Sequence, residues 1–242
     1  MSDQQSRATP DQSHAVKDNI VASRHRLEQA LASAGRPADS AALLAVSKTK
    51  PAAMLREAFN VGQRLFGENY LQEALEKQQA LADLEEIEWH YIGALQSNKT
   101  REVAEHFSWV HTVDREKIAR RLSEARPAAL GPLNVCLQVN ISRESSKSGV
   151  TPEALPALAE QILALPNLKL RGLMSIPAIS NDPSQQRAPH AALRELFEDL
   201  VKRYSQAPLD TLSMGMSGDM EAAIDEGATL VRLGTAIFGS RD

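Results

Sequence analysis

Apolar and polar positions along this chain follow two rhythms. Near the start, Ile20, Leu27, Leu31 and Ala34 fall at helical spacing, and Gly35 and Pro37 supply a stop. This predicts a helix from about Ser13, preceded by a polar, disordered segment over residues 1–12. Beyond Pro37, short β-type runs occupy residues 43–47, 64–67, 89–93, 109–113, 134–140, 168–174, 211–214 and 230–233. Helical patterns separate them, near 51–61, 69–85, 98–106, 114–126, 152–165, 187–206 and 219–227. The pattern at 187–206 is the cleanest, with Leu193, Leu196, Phe197, Leu200, Val201 and Tyr204 on one face. Strands alternating with helices predict βαβ units and a parallel sheet. Eight such strands in about 200 residues favour a closed (β/α)8 TIM barrel with an extra N-terminal helix. An open doubly wound sheet is the fallback. No linker divides residues 13–242, which read as one domain, with 179–189 as a long loop.

Composition narrows the functional classes. The chain carries 27 Lys+Arg against 31 Asp+Glu, a net charge of −4, and 43 % hydrophobic residues, enough for a full core. Its longest apolar run is six residues, Ala41 to Val46, far short of the roughly 20 that span a bilayer. The opening residues lack the pattern of a signal peptide, so a cytoplasmic protein is expected. The acidic balance and 4 % aromatics argue against a nucleic-acid surface. The single cysteine, Cys136, excludes an internal disulfide framework and reads as buried filler.

In a barrel the chemistry sits at the C-terminal ends of strands and in the loops after them. Period-two alternation puts Leu44, Val46 and Lys48 on one face, so Lys48 points into the barrel mouth if Val46 points inward. Apolar walls disfavour the charged form of an amine and suit it to attack on a carbonyl. A solvated lysine in a strand-to-helix turn is the plain alternative, and Lys50 competes for the role. The late loops, Gly215-Met216-Ser217-Gly218 and Gly234-Thr235, bring small residues and hydroxyls where barrels often bind phosphate, although such glycines also simply make tight turns. A lysine with a phosphate cradle points to a phosphorylated aldehyde. Arg232, among apolar neighbours, needs a partner: a carboxylate such as Glu68 or Asp219, or a cofactor ring nitrogen. His90 and His111 read as core histidines. Asp219, Glu221, Asp225 and Glu226 read as a solvated helix face, and residues 142–149 as a polar surface turn. No metal-ligand spacing is evident.

Seven stretches carry a resemblance to a known family. They are Ala45-Val46-Ser47-Lys48-Thr49-Lys50-Pro51, Phe66-Gly67-Glu68-Asn69-Tyr70, the run from Trp89 to Lys99, Ser146-Lys147-Ser148-Gly149, Arg171-Gly172-Leu173-Met174-Ser175-Ile176-Pro177, the run from Ser213 to Met220, and that from Val231 to Gly239. Together they resemble the pyridoxal phosphate homeostasis proteins, single-barrel relatives of alanine racemase, over about residues 14 to 240. The resemblance implies that Lys48 carries pyridoxal 5'-phosphate as a Schiff base. It implies that Ser217, Gly234 and Thr235 hold the phosphate, that Arg232 faces the pyridine nitrogen, and that Asn69, Met174 and Met216 line the ring. Tyr91 stands where the family more often has phenylalanine, and the basic tail of some relatives is absent.

By the same resemblance the protein is a cytoplasmic monomer that buffers, protects or delivers the cofactor, with cofactor-requiring apo-enzymes as the partners to consider. The alternative is an amino-acid racemase or another pyridoxal phosphate enzyme of low activity. Two features favour the non-catalytic reading. None of Tyr70, Tyr91 and Tyr204 is an evident second base, and the seven residues after Thr235 leave no room for a domain that would bring one. An arginine at the pyridine nitrogen keeps it unprotonated and weakens the electron sink.

Overall fold

Alternation within each strand decides where its side chains go. In a computed structural model, which describes residues 12–144, 147–178, 180 and 182–240, this alternation builds a barrel with two faces of apolar residues. Helix α1 (Gln12–Ser33) precedes β1 (Ala42–Val46), α2 (Ala52–Asn60), β2 (Leu65–Glu68), α3 (Leu71–Ala80), β3 (Glu88–Tyr91) and α4 (Thr100–His106). Then come β4 (Trp109–Val113), α5 (Glu116–Ala125), β5 (Leu133–Gln138), α6 (Leu155–Leu163) and β6 (Leu168–Met174). The chain continues through α7 (Pro183–Arg203), β7 (Thr211–Ser213), α8 (Met220–Asp225), β8 (Leu230–Leu233) and α9 (Thr235–Phe238).

The strands close in the order β1 to β8, all parallel, and β8 pairs back onto β1 with Leu44 opposite Arg232. This is the predicted TIM barrel, and closure excludes the open sheet. Odd residues of β1, Leu43 and Ala45, join Phe66, Val110, Val135 and Val231 in the layer between strands and helices. Even residues, Leu44 and Val46, turn inward to meet Ile92 and Leu230, while Trp109, Cys136 and Met174 fill another part of the lumen. Register shifts in β4 and β5 let Val113 rejoin the outer layer.

Helix α1 is the predicted N-terminal addition. It packs across α2, α8 and α9, burying Val16, Ile20, Leu27 and Leu31. The disordered segment expected over 1–12 lies outside the described residues except for Gln12, which is already helical. Helix α7 starts earlier than its apolar pattern, at Pro183, and takes up more than half of the loop expected over 179–189. Asp182 caps it by accepting from the Ser184 N–H at 2.9 Å, and a proline in the first turn costs no hydrogen bond. Pro189 is accommodated inside the helix. Short α9 was not anticipated, being only four residues long. Among the described residues no helix is long and apolar enough to cross a membrane.

Candidate functional site

The C-terminal rim of the barrel gathers the residues singled out in the sequence. Lys48 follows β1 in a turn, half-buried, with the inward-facing Leu44 and Val46 before it. Thr49 beside it has φ 64°, a left-handed conformation that a β-branched residue rarely adopts. A buried network beneath holds this turn. The Lys77 ammonium on α3 donates to the Ser47 carbonyl at 2.7 Å and to Glu68 Oε1 at 2.8 Å, and it also reaches Glu73. The Ser47 hydroxyl donates to Glu68 Oε1 at 2.6 Å, and the Thr49 N–H to Glu73 Oε1 at 2.5 Å. Burial pushes the Glu68 carboxyl up, and the Lys77 charge opposes it. Lys50, the competing lysine, donates to the Ser240 carbonyl at 2.7 Å. It lines an outer cavity of about 590 Å³ with Asn19, Thr49, Met54 and Phe238, to which neither Lys48 nor Arg232 contributes.

Asn69 follows β2, and its Oδ1 is buried with no protein partner; the Ser175 hydroxyl, one residue past β6, is in the same state. Buried polar atoms are ordinarily paired, so two orphans on one rim are consistent with a missing polar partner. Met174 ends β6 fully buried in the lumen.

The loop after β7 holds Met216 and Ser217. Its backbone is locked by Asp219, whose Oδ1 accepts the Met216 N–H at 2.6 Å and whose Oδ2 lies 3.0 Å from His190 Nε2. Burial raises the Asp219 carboxyl, but the His190 and Met216 hydrogen bonds outweigh it and hold the group below its usual range. Gly215 has φ +92°, and a Cβ there would sit 2.6 Å from Ala223 Cβ, so this glycine is required by the turn itself. Gly218 differs: a Cβ there would meet nothing within 4 Å, leaving the loop open to approach. Met216, Gly218 and Asp219 line a cleft of about 160 Å³ with Pro177 and Gln186. After β8, Gly234 occupies the N-cap position of α9, close to the Val46 carbonyl, and Thr235 is exposed at the first helical position.

Arg232 is 5 % exposed in the lumen. It pairs with neither Glu68 nor Asp219. Its Nη1 donates to Ser213 Oγ at 2.9 Å and its Nη2 to the Ser175 carbonyl at 2.7 Å. Burial pushes the guanidinium down to about 10, so it stays cationic at neutral pH.

The comparisons with known proteins follow this geometry. The family model for the N-terminal domain of alanine racemase matches residues 19–242. A pyridoxal phosphate homeostasis protein of Pseudomonas aeruginosa is 62 % identical over 227 residues, covering 94 % of this chain and 96 % of that one. The chain belongs to the pyridoxal phosphate homeostasis protein family. PipY of Synechococcus elongatus, solved with pyridoxal phosphate bound, is 38 % identical, with TM-score 0.82 and coverage of 93 % and 100 %. An alanine racemase of Corynebacterium glutamicum shares the fold at 18 % identity and TM-score 0.68, covering 93 % of this chain and 60 % of its own.

Several contacts of this family member escaped the sequence. Arg26 on α1 donates to the Ser217 carbonyl at 2.9 Å and forks onto Glu221, tying the first helix to the loop after β7. Glu221 and Asp225 are exposed as expected of a solvated face, with Glu221 paired to Arg26, but Asp219 and Glu226 are not: Asp219 locks the loop, and Glu226 is buried under Arg187 and Arg194. Arg143 and Lys147 in the 142–149 turn pair with Glu153 and Glu144. Ser145 and Ser146 of that turn lie outside the described residues. His90 and His111 are buried, as expected of core histidines, and bond to each other at 2.9 Å.

Proposed function

We propose that this protein holds pyridoxal 5'-phosphate in the mouth of its barrel, covalently on Lys48, and serves intracellular cofactor homeostasis by buffering, protecting or delivering it. The observation that carries the reading is the convergence on one rim of Lys48, the lumenal cation Arg232 and the two hydroxyl-bearing loops, in a chain 38 % identical to PipY. Ser217, Gly234 and Thr235 would hold the phosphate, Arg232 would face the ring nitrogen, and Asn69, Met174 and Met216 would border the ring. The orphaned Asn69 Oδ1 suits a ligand that donates a hydrogen bond to it, and the open approach at Gly218 suits one with an anionic end. When bound, the cofactor supplies an aldehyde and an electron-withdrawing pyridine ring.

The chain's own residues favour retention over turnover. Arg232 can only donate, so facing the ring nitrogen it would hold that nitrogen unprotonated and weaken the electron sink that carbanion chemistry needs. A racemase needs a second base. The Tyr91 and Tyr204 hydroxyls donate to the Ala94 and Pro156 carbonyls, while Tyr70 is 52 % exposed after β2. The same reading makes the protein a cytoplasmic monomer with one barrel domain over 13–242, whose partners are cofactor-requiring apo-enzymes.

The test is an absorption spectrum with added pyridoxal phosphate, borohydride reduction and peptide mass mapping. The expected result is a reducible visible band and the reduced adduct on the Lys48 peptide, both lost in Lys48→Ala. Cofactor passing through unbound overturns the reading; an adduct on Lys50 moves the attachment point. Racemisation of alanine that Tyr70→Phe abolishes would establish the enzymatic alternative.

A further inference from the structure

A line of polar side chains crosses the barrel lumen from floor to centre. Glu88, the first residue of β3 and 42 % exposed, accepts at Oε1 from His90 Nε2, 2.9 Å away. His90 Nδ1 lies 2.9 Å from His111 Nε2, and His111 Nδ1 lies 2.8 Å from Ser213 Oγ. Ser213 Oγ in turn accepts from Arg232 at 2.9 Å. Four strands, β3, β4, β7 and β8, contribute to this line. Trp109 stacks on His90 at 5.3 Å, closing its flank.

Donor arithmetic gives the line one direction, and both ends demand the same one. At the floor, the hydrogen bond from His90 holds the Glu88 carboxylate below its usual range, so Glu88 is ionised and can only accept. His90 must then carry its proton on Nε2. Burial pushes both histidines down, His111 well below its usual value, so each is neutral and has one proton. His90 Nδ1 is therefore an acceptor, His111 donates from Nε2, and His111 Nδ1 accepts. At the other end Arg232 can only donate, so Ser213 Oγ accepts from it and spends its own proton on His111 Nδ1. Reversing the line would leave the buried Ser213 proton without a partner and would set two acceptors, His90 Nε2 and the Glu88 carboxylate, against each other.

We propose that Glu88, His90, His111 and Ser213 are positioning residues for Arg232, acting as a one-way hydrogen-bond chain from the guanidinium to a carboxylate on the barrel floor. This rests on the reading above for what Arg232 faces, but the chain itself belongs to the protein without ligand. Its function is to fix Arg232 as a donor of set orientation and to couple it to a counter-charge at the opposite end of the barrel from Lys48. A change on the floor then alters ligand binding at the rim, which a lumen filler would not do.

The experiment is long-range 15N–1H NMR of the histidines in the ligand-free protein, together with equilibrium binding of pyridoxal phosphate. Wild type is expected to show His90 and His111 neutral and protonated on Nε2. Glu88→Leu removes the fixed acceptor, so His111, which does not touch Glu88, is expected to gain an Nδ1-protonated population. Affinity for pyridoxal phosphate is expected to fall by about three- to tenfold, the scale of one weakened hydrogen bond to a charged group. Glu88→Gln, which retains an acceptor oxygen, is expected to restore both readouts. His111 protonated on Nδ1 in wild type, or unmoved by Glu88→Leu, overturns the directional chain. Tautomers as expected with unchanged affinity in Glu88→Leu overturn the positioning role. If wild type itself fails to bind pyridoxal phosphate, the cofactor reading fails while the NMR result still decides the chain.

Discussion

Replacing Lys77 with methionine tests the buried network beneath Lys48. The ammonium has 6 % side-chain exposure, and its partner Glu68 has 0 %. In Lys77→Met, Glu68 retains only the Ser47 hydroxyl, and its Oε2 already has no partner. Removing one side of a buried ion pair costs about 3–5 kcal/mol, because the other charge is stranded. Glu68 escapes part of this by taking a proton, toward which burial already pushes it. The expected loss at pH 7 is therefore near the lower bound, about 3 kcal/mol, or a fall in Tm of roughly 6–12 °C for a domain of this size. The sign with pH follows: a carboxyl whose folded pKa is raised above its unfolded value contributes stability at low pH and loses it as pH rises, so the variant is less impaired at pH 5 than at pH 7. Urea and thermal unfolding of Lys77→Met, Glu68→Gln and the double variant at both pH values provide the assay. The double variant should recover at least about 1 kcal/mol of the summed losses. A Lys77→Met protein within about 1 kcal/mol of wild type, or a double variant that loses the full sum, refutes the reasoning.

Three other outcomes follow from described contacts. Gly215→Ala should lose about 2 kcal/mol or more by urea unfolding, from its left-handed backbone and the close Ala223 contact, while Gly218→Ala should stay within about 0.5 kcal/mol. With His90 and His111 held neutral when folded, the unfolded chain binds more protons below the ordinary value of 6.5, so stability falls as pH drops through that range. Each histidine contributes a slope of at most about 1.4 kcal/mol per pH unit, which a His90→Gln/His111→Gln variant should lose in unfolding measurements from pH 7 to 5. Cys136, fully buried and pushed up to about 12, should resist iodoacetamide in the native protein and react once urea unfolds it, as mass spectrometry would read.

The barrel was legible because its strands bury two faces with different partners. Leu43 and Ala45 outward, Leu44 and Val46 inward, is the alternation that the sequence of β1 shows and the fold repeats. Helix α7 begins before its apolar stripe: its first turns are polar, so periodicity does not report them, and the Asp182 cap ahead of Pro183 is what marks the start. Asp219 and Glu226 looked solvated because helical position is local information. Their partners His190, Arg187 and Arg194 arrive from α7 across 29 to 39 residues. The lumenal line is invisible for the same reason, since His111 and Ser213 are 102 residues apart. No local pattern distinguishes a core histidine that fills space from one that also orders its neighbours.

Helix α1 and the β1–β8 pairing have a kinetic consequence. The bonds from Asn19 to Ile237, Arg36 to Ile224 and Arg26 to Ser217 span 218, 188 and 191 residues. A chain leaving the ribosome carries an unpaired β1 edge and the bare apolar face of α1 until its last strand is made. Contacts of such long range form late and slowly, and the waiting edge is the segment most open to mispairing. Lys48 follows the first strand of the barrel, Arg232 lies on the last strand, and Thr235 opens the helix after it. The same closing event that ends this exposure also sets the end of β8 beside that of β1, so an incomplete chain lacks one side of its rim.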